Sequence, residues 1–69
     1  DLRKDADKYE WGAKFIELGE GCVDLKGIKK ILDRINFTGW ICWELDVTTR
    51  TPLESAKICR KYIKDNFGL

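Results

Sequence analysis

Six consecutive residues decide what this chain can fold into: Trp40-Ile41-Cys42-Trp43-Glu44-Leu45 is a nearly continuous apolar run with no alternation. A strand with one wet face alternates, whereas a strand covered on both faces reads as an unbroken apolar stretch. The run therefore predicts a buried strand over about 40–45. Helical patterns flank it. Upstream, Leu25, Ile28, Ile31, Leu32 and Ile35 recur at helical spacing, with Lys29, Lys30, Asp33 and Arg34 on the other face and Asp24 in position to cap the first turn. The spacing predicts a helix over about 24–36, and Asn36 and Gly39 punctuate the connection that follows. Downstream, Thr51-Pro52-Leu53-Glu54 is a capping box with proline at the first helical position, where its missing N–H is no loss. Leu53, Ala56, Cys59, Tyr62 or Ile63, and Phe67 form the stripe of a second helix over about 52–66, and Gly68 stands where a helix commonly stops.

Residues 1–23 show neither alternation nor a helical stripe and read as a loop. Within it, Phe15-Ile16-Glu17-Leu18 is a short extended candidate closed by the turn Gly19-Glu20-Gly21. The order loop, helix, buried strand, helix is one αβα repeat of an α/β sheet, either doubly wound or closed into an eight-stranded barrel. A strand apolar on both faces demands neighbours, and this chain offers at most one other extended segment. With 69 residues it also lies where only roughly 60% of the unfolded surface is buried on folding. The expected fold is an α/β portion that is incomplete as a lone chain, its sheet completed by strands upstream, by another polypeptide or by self-association.

Composition narrows the function classes. At 43% hydrophobic and 36% charged residues the chain is built to pack. Thirteen basic and twelve acidic residues leave a charge of +1, so no net field draws it to nucleic acid or a membrane surface. No apolar run approaches the ~18 residues of a membrane span, and the chain opens on DLRKDADKYE; the expectation is a soluble cytoplasmic protein. Cys22, Cys42 and Cys59 lack CxxC spacing, and with no histidine a compact zinc site lacks its usual ligands. Reduced structural thiols are expected, Cys42 and Cys59 acting as small hydrophobes inside apolar patterns.

The residue that carries chemistry is Glu44. A carboxylate near the C-terminal end of a buried strand costs several kcal/mol, to order of magnitude, unless it is paired, hydrogen-bonded or metal-bound. In parallel α/β folds catalytic groups gather at the carboxyl ends of the strands, where Glu44 and Asp46 project. An ion pair with a basic residue of a neighbouring strand is the competing explanation. The Gly19-Glu20-Gly21 turn lacks the spacing of a phosphate cradle. Arg3, Lys4 and Arg50 suit an anionic substrate, although isolated basic loop residues are commonly only solvated. Trp40 and Trp43 read as core filling rather than sugar stacking, and Lys29-Lys30 and Arg60-Lys61 as outer helix faces rather than a nucleic-acid surface.

The ordered set Phe15 to Asp24 (FIELGEGCVD), Phe37-Thr38-Gly39-Trp40, Trp43-Glu44-Leu45-Asp46 and Thr51-Pro52-Leu53-Glu54-Ser55-Ala56 resembles the end of the xylose-isomerase-like TIM barrels. Within that superfamily it is most similar to the inosose dehydratase and sugar phosphate isomerase branch. The match covers roughly residues 15 to 65. The resemblance implies a C-terminal αβα portion of a (β/α)8 barrel with residues 40–45 as its eighth strand. It implies that Glu44 ligates a divalent metal, Mn2+ first, with Mg2+, Co2+ or Zn2+ as alternatives, and serves as an acid/base group. Asp1 matches the aspartate of a His-x-Lys-Asp stretch, and Arg3 and Glu20 are the expected substrate contacts. The other family ligands have no counterpart here.

The implied function is part of a metal-dependent sugar or cyclitol isomerase or epimerase, working by carboxylate proton transfer through a metal-stabilised enediolate. Two alternatives stand beside it: a dehydratase of the inosose type on the same fold, and a small non-catalytic interaction module with Glu44 in a buried ion pair. A DNA repair nuclease would need a zinc cluster and a basic groove, and the sequence offers neither.

Overall fold

In a computed structural model that describes residues 1–69, the two helices are announced by their own end signals. Helix α1 spans Leu25–Arg34. The Asp24 carboxylate accepts a hydrogen bond from the Gly27 N–H at 2.9 Å, satisfying one of the donors a first turn leaves unpaired. At the other end Asn36 takes a left-handed conformation (φ 53°), which asparagine tolerates better than most residues. This lets the Phe37 N–H reach the Leu32 carbonyl and the Asn36 N–H the Asp33 carbonyl, a Schellman ending. Helix α2 spans Pro52–Phe67. Its capping box is reciprocal: the Glu54 N–H donates to Thr51 Oγ1, and Thr51 N–H to Glu54 Oε2, each at 3.2 Å. Gly68, at φ 75°, returns its N–H to the Lys64 carbonyl and ends the helix.

The helices differ in what their apolar stripes meet. On α2, Ser55, Cys59 and Ile63 fall one turn apart and are buried. On α1 no residue is buried, and Ile28, Ile31 and Ile35 stay 45%, 54% and 62% exposed. Cys59 and Ile63 are the whole buried apolar core. Leu25 and Leu32 are half-buried, so the stripe of α1 is only partly covered within these 69 residues.

The N-terminal segment is organised around Asp1 and Leu2. Leu2 forms a single antiparallel bridge with Phe15. Arg3 N–H donates to the Lys14 carbonyl, Ile16 N–H to that of Asp1 and Cys22 N–H to that of Leu2. Short 3-10 turns at Ala6–Lys8 and Trp11–Lys14 fill the excursion between. The Asp1 carboxylate accepts four backbone N–H groups, from Leu2, Gly19, Gly21 and Val23, at 2.8–3.1 Å. That stitch makes the Gly19-Glu20-Gly21 turn: Gly19 is left-handed at φ 87°, and a Cβ on Gly21 would collide with the Leu2 carbonyl and the Asp1 carboxylate.

The strand expected at 40–45 does not form within this chain. Residues 40–45 lie outside any ladder, and no sheet is present beyond the Leu2–Phe15 bridge. Trp40 is 96% exposed, Trp43 is exposed beside it instead of filling a core, and Cys42 is solvent-accessible where a buried thiol was expected. The physical reason is direct. A strand is held by hydrogen bonds to neighbours, and no neighbouring strand exists here to supply them. The chain on its own is a small helical piece, and the α/β architecture expected from its sequence needs strands it does not contain.

Candidate active site

Glu44 lies in this unpaired segment and is exposed, not buried. Asp46, two residues on, shares a small cleft of about 270 Å3 with it, and Trp11 and Phe15 complete the lining. The segment's neighbour is thus the 3-10 turn at Trp11–Lys14. Gly12 permits the approach, since a Cβ there would stand 3.1 Å from Val47 Cγ2. Two carboxylates and two aromatic rings therefore converge without any of the groups that would neutralise Glu44.

A second carboxylate site is fully closed. Glu17 is 2% exposed, the most buried charged residue of the chain. The Thr48 hydroxyl donates to its Oε1, and Arg50 Nη1 lies 2.5 Å from its Oε2. The Arg50 guanidinium also forks onto Glu20, Nη1 to Oε1 at 2.8 Å and Nη2 to Oε2 at 3.0 Å. Its own backbone N–H donates to Thr48 Oγ1 at 3.1 Å. Burial pushes the Glu17 carboxyl up, but the Thr48 hydroxyl and other hydrogen bonds, with the Arg50 charge, outweigh it and hold the group below its ordinary value of 4.5. Hydrogen bonding to Glu20, with the charges of Glu20 and Glu17, raises Arg50 in turn. The network ties the turn at 17–20 to residues 48–50, just downstream of Glu44 and Asp46 and just before the cap of α2.

The residues singled out in the sequence do not gather in one place. Arg3 Nε donates to the Ala13 carbonyl at 3.0 Å, and its guanidinium carbon sits 4.8 Å from the centroid of the Tyr9 ring. Glu20 is occupied by Arg50. Neither lines the cleft at Glu44. Glu17, Thr48 and the partnership of Arg50 were missed by sequence reasoning. A signal for Glu17 existed: like Glu44 it is a lone carboxylate inside an apolar run, Phe15-Ile16-Glu17-Leu18.

A metal centre finds no complete ligand set in this chain. No three histidine, cysteine, aspartate or glutamate side chains come together, and Glu44 with Asp46 offers two carboxylates where zinc takes about four ligands and calcium about six to eight. These residues alone do not fit a divalent ion.

No family model matches the chain, and no solved structure does either. Curated relatives do. Over an alignment of 72 positions that covers 97% of this chain, it is 46% identical to an inosose dehydratase of Clostridium beijerinckii, of which the stretch is 24%. Over an alignment of 73 positions that covers 99% of the chain and 24% of the relative, it is 32% identical to an inosose dehydratase of Klebsiella pneumoniae. To one from Bacillus velezensis it is 43% identical over 47 residues, 65% of the chain and 16% of the relative. No helix is long and apolar enough to cross a membrane. The chain spans about a quarter of the length of the curated relatives that it matches along nearly all of its own sequence, and what it is similar to is one stretch of the inosose dehydratases.

Proposed function

We propose that this chain is a stretch of a larger enzyme that processes a sugar or cyclitol, and that the reaction is dehydration of a keto-cyclitol with Glu44 as the proton-transfer group. The observation that carries the reading is the 46% identity to an inosose dehydratase across 97% of the chain. The open cleft at Glu44 supports it. So does the unpaired apolar segment at 40–45, which is what a barrel strand looks like when its neighbours are absent.

The chemistry asks little of this chain beyond Glu44 and Asp46. The hydrogen on the carbon next to a ketone is acidic, and the Glu44 carboxylate takes it. The electron pair left behind expels the hydroxyl one carbon further on, which departs as water after accepting a proton. Asp46 lines the same cleft and suits that donation. Arg3 and Glu20 are proposed as outlying substrate contacts; Arg3 spends its Nε on Ala13, and Glu20 would have to share its carboxylate with Arg50. Divalent metal binding by Glu44 belongs to the proposal only with donors from outside these 69 residues.

Isomerisation and epimerisation begin with the same C–H removal and differ in where the proton returns. The names of the relatives favour dehydration. The test is to incubate the complete enzyme with inosose and follow the product by mass spectrometry. Loss of the mass of one water supports dehydration, an isomer of unchanged mass replaces it with isomerase chemistry, and no turnover of inosose or related keto-sugars sinks both.

A further inference from the structure

Trp11 is left unexplained by packing. It is 73% exposed, yet its ring is not free to wander, because Phe15 meets it edge-to-face with centroids 5.6 Å apart at 87°. The same two rings are half the lining of the cleft that holds Glu44 and Asp46. Gly12 makes the juxtaposition close, since a Cβ there would stand 3.1 Å from Val47 Cγ2 and the Val47 side chain would have to give by a few tenths of an ångström.

We infer that Trp11, braced by Phe15, is the binding wall for a single-ring polyol whose C–H face rests on the indole while its hydroxyls hydrogen-bond to the Glu44 and Asp46 carboxylates. A cyclitol or pyranose carries both surfaces at once. Its ring hydrogens form a weakly polarised apolar face that suits the electron-rich face of an aromatic ring, and its hydroxyls need acceptors, which carboxylates supply. Size agrees. At about 270 Å3 the cleft lies just below the roughly 300–1,000 Å3 of drug-sized ligand sites and admits one ring rather than a chain of them. The tryptophans at 40 and 43 do not compete for the role, because neither shares the lining of Glu44 and Asp46 with Trp11 and Phe15.

This inference rests on the proposed reading of Glu44, and the experiment separates the two. In the complete enzyme, Trp11→Ala should raise KM for the keto-cyclitol about tenfold, the loss of one good aromatic contact, while kcat changes less than about threefold. Trp11→Phe should restore KM to within about threefold of wild type. Addition of myo-inositol, a non-reacting cyclitol, should shift the tryptophan emission of wild type, and Trp11→Phe should abolish that shift. An unchanged KM in Trp11→Ala, or an emission shift that survives in Trp11→Phe, overturns the inference even if Glu44→Gln is inactive. A fully active Glu44→Gln overturns the parent reading instead. If Trp11→Ala fails to fold, the emission of Trp11→Phe decides.

Discussion

Glu17 and Glu44 begin as the same sequence signature, a lone glutamate inside a short apolar run, and end as opposites in the structure. Glu17 is 2% exposed and its oxygens are taken by Thr48 and Arg50. Glu44 is exposed beside Asp46 in a cleft with no basic residue in its lining. Burying a carboxylate is costly, so a buried one needs partners within the fold, whereas an exposed one is compensated by water and stays free to meet a ligand. The chain supplies such partners for Glu17, over a separation of more than thirty positions to Arg50. It supplies neither partner nor cover for Glu44. A carboxylate in an apolar run thus locates a demand, and only the identity of what answers it separates a structural group from a reactive one.

The contrast breaks most visibly through Glu44. In the complete enzyme Glu44→Gln should lower kcat by about 10²–10⁴-fold, the range for losing a general acid–base group, while the near-isosteric amide leaves thermal stability little changed. Steady-state kinetics with a melting curve checks both halves. Glu17 should behave in reverse. Glu17→Ala removes a buried, doubly bonded carboxylate and should destabilise the fold by about 2 kcal/mol in denaturant unfolding while kcat per folded molecule holds. Thr51→Ala, which strips one side of the capping box of α2, should cost about 1 kcal/mol by the same measurement.

The pH dependence sharpens the comparison at its finer end. The Glu17 carboxyl titrates below its ordinary 4.5 in the folded chain, so the unfolded state binds its proton first as pH falls. Its stabilisation is complete above the unfolded value and is lost as pH drops through the lowered folded value. Arg50→Met removes a cation facing Glu17 and should move that loss to higher pH, whereas Glu17→Gln should flatten it. Acid unfolding followed by circular dichroism reads both.

Legibility in the sequence followed how local the determining contacts are. The ends of α1 and α2 are set by Asp24, Asn36, Thr51, Glu54 and Gly68, each acting within one turn, so spacing alone exposes them. The Glu17–Arg50–Glu20 network was hidden because its members come from distant stretches, and nothing in Arg50's surroundings announces a partner. The four-fold stitch on Asp1 was hidden for the same reason. The strand at 40–45 failed differently. Its apolar pattern reads as a demand for neighbours, and within this chain, which has none to offer, Trp40 and Trp43 face solvent. Of the candidate site, Glu44 and Asp46 were visible as a pair, while Trp11 and Phe15 became part of it only through the approach of Gly12 to Val47.

The most direct measurement is deuterium wash-in. The complete enzyme held in D2O with its keto-cyclitol should exchange the hydrogen next to the ketone in wild type and in Glu17→Gln, and should leave it untouched in Glu44→Gln. Exchange that persists at the wild-type rate without the Glu44 carboxylate would contradict the account, because some other base would then be taking the proton.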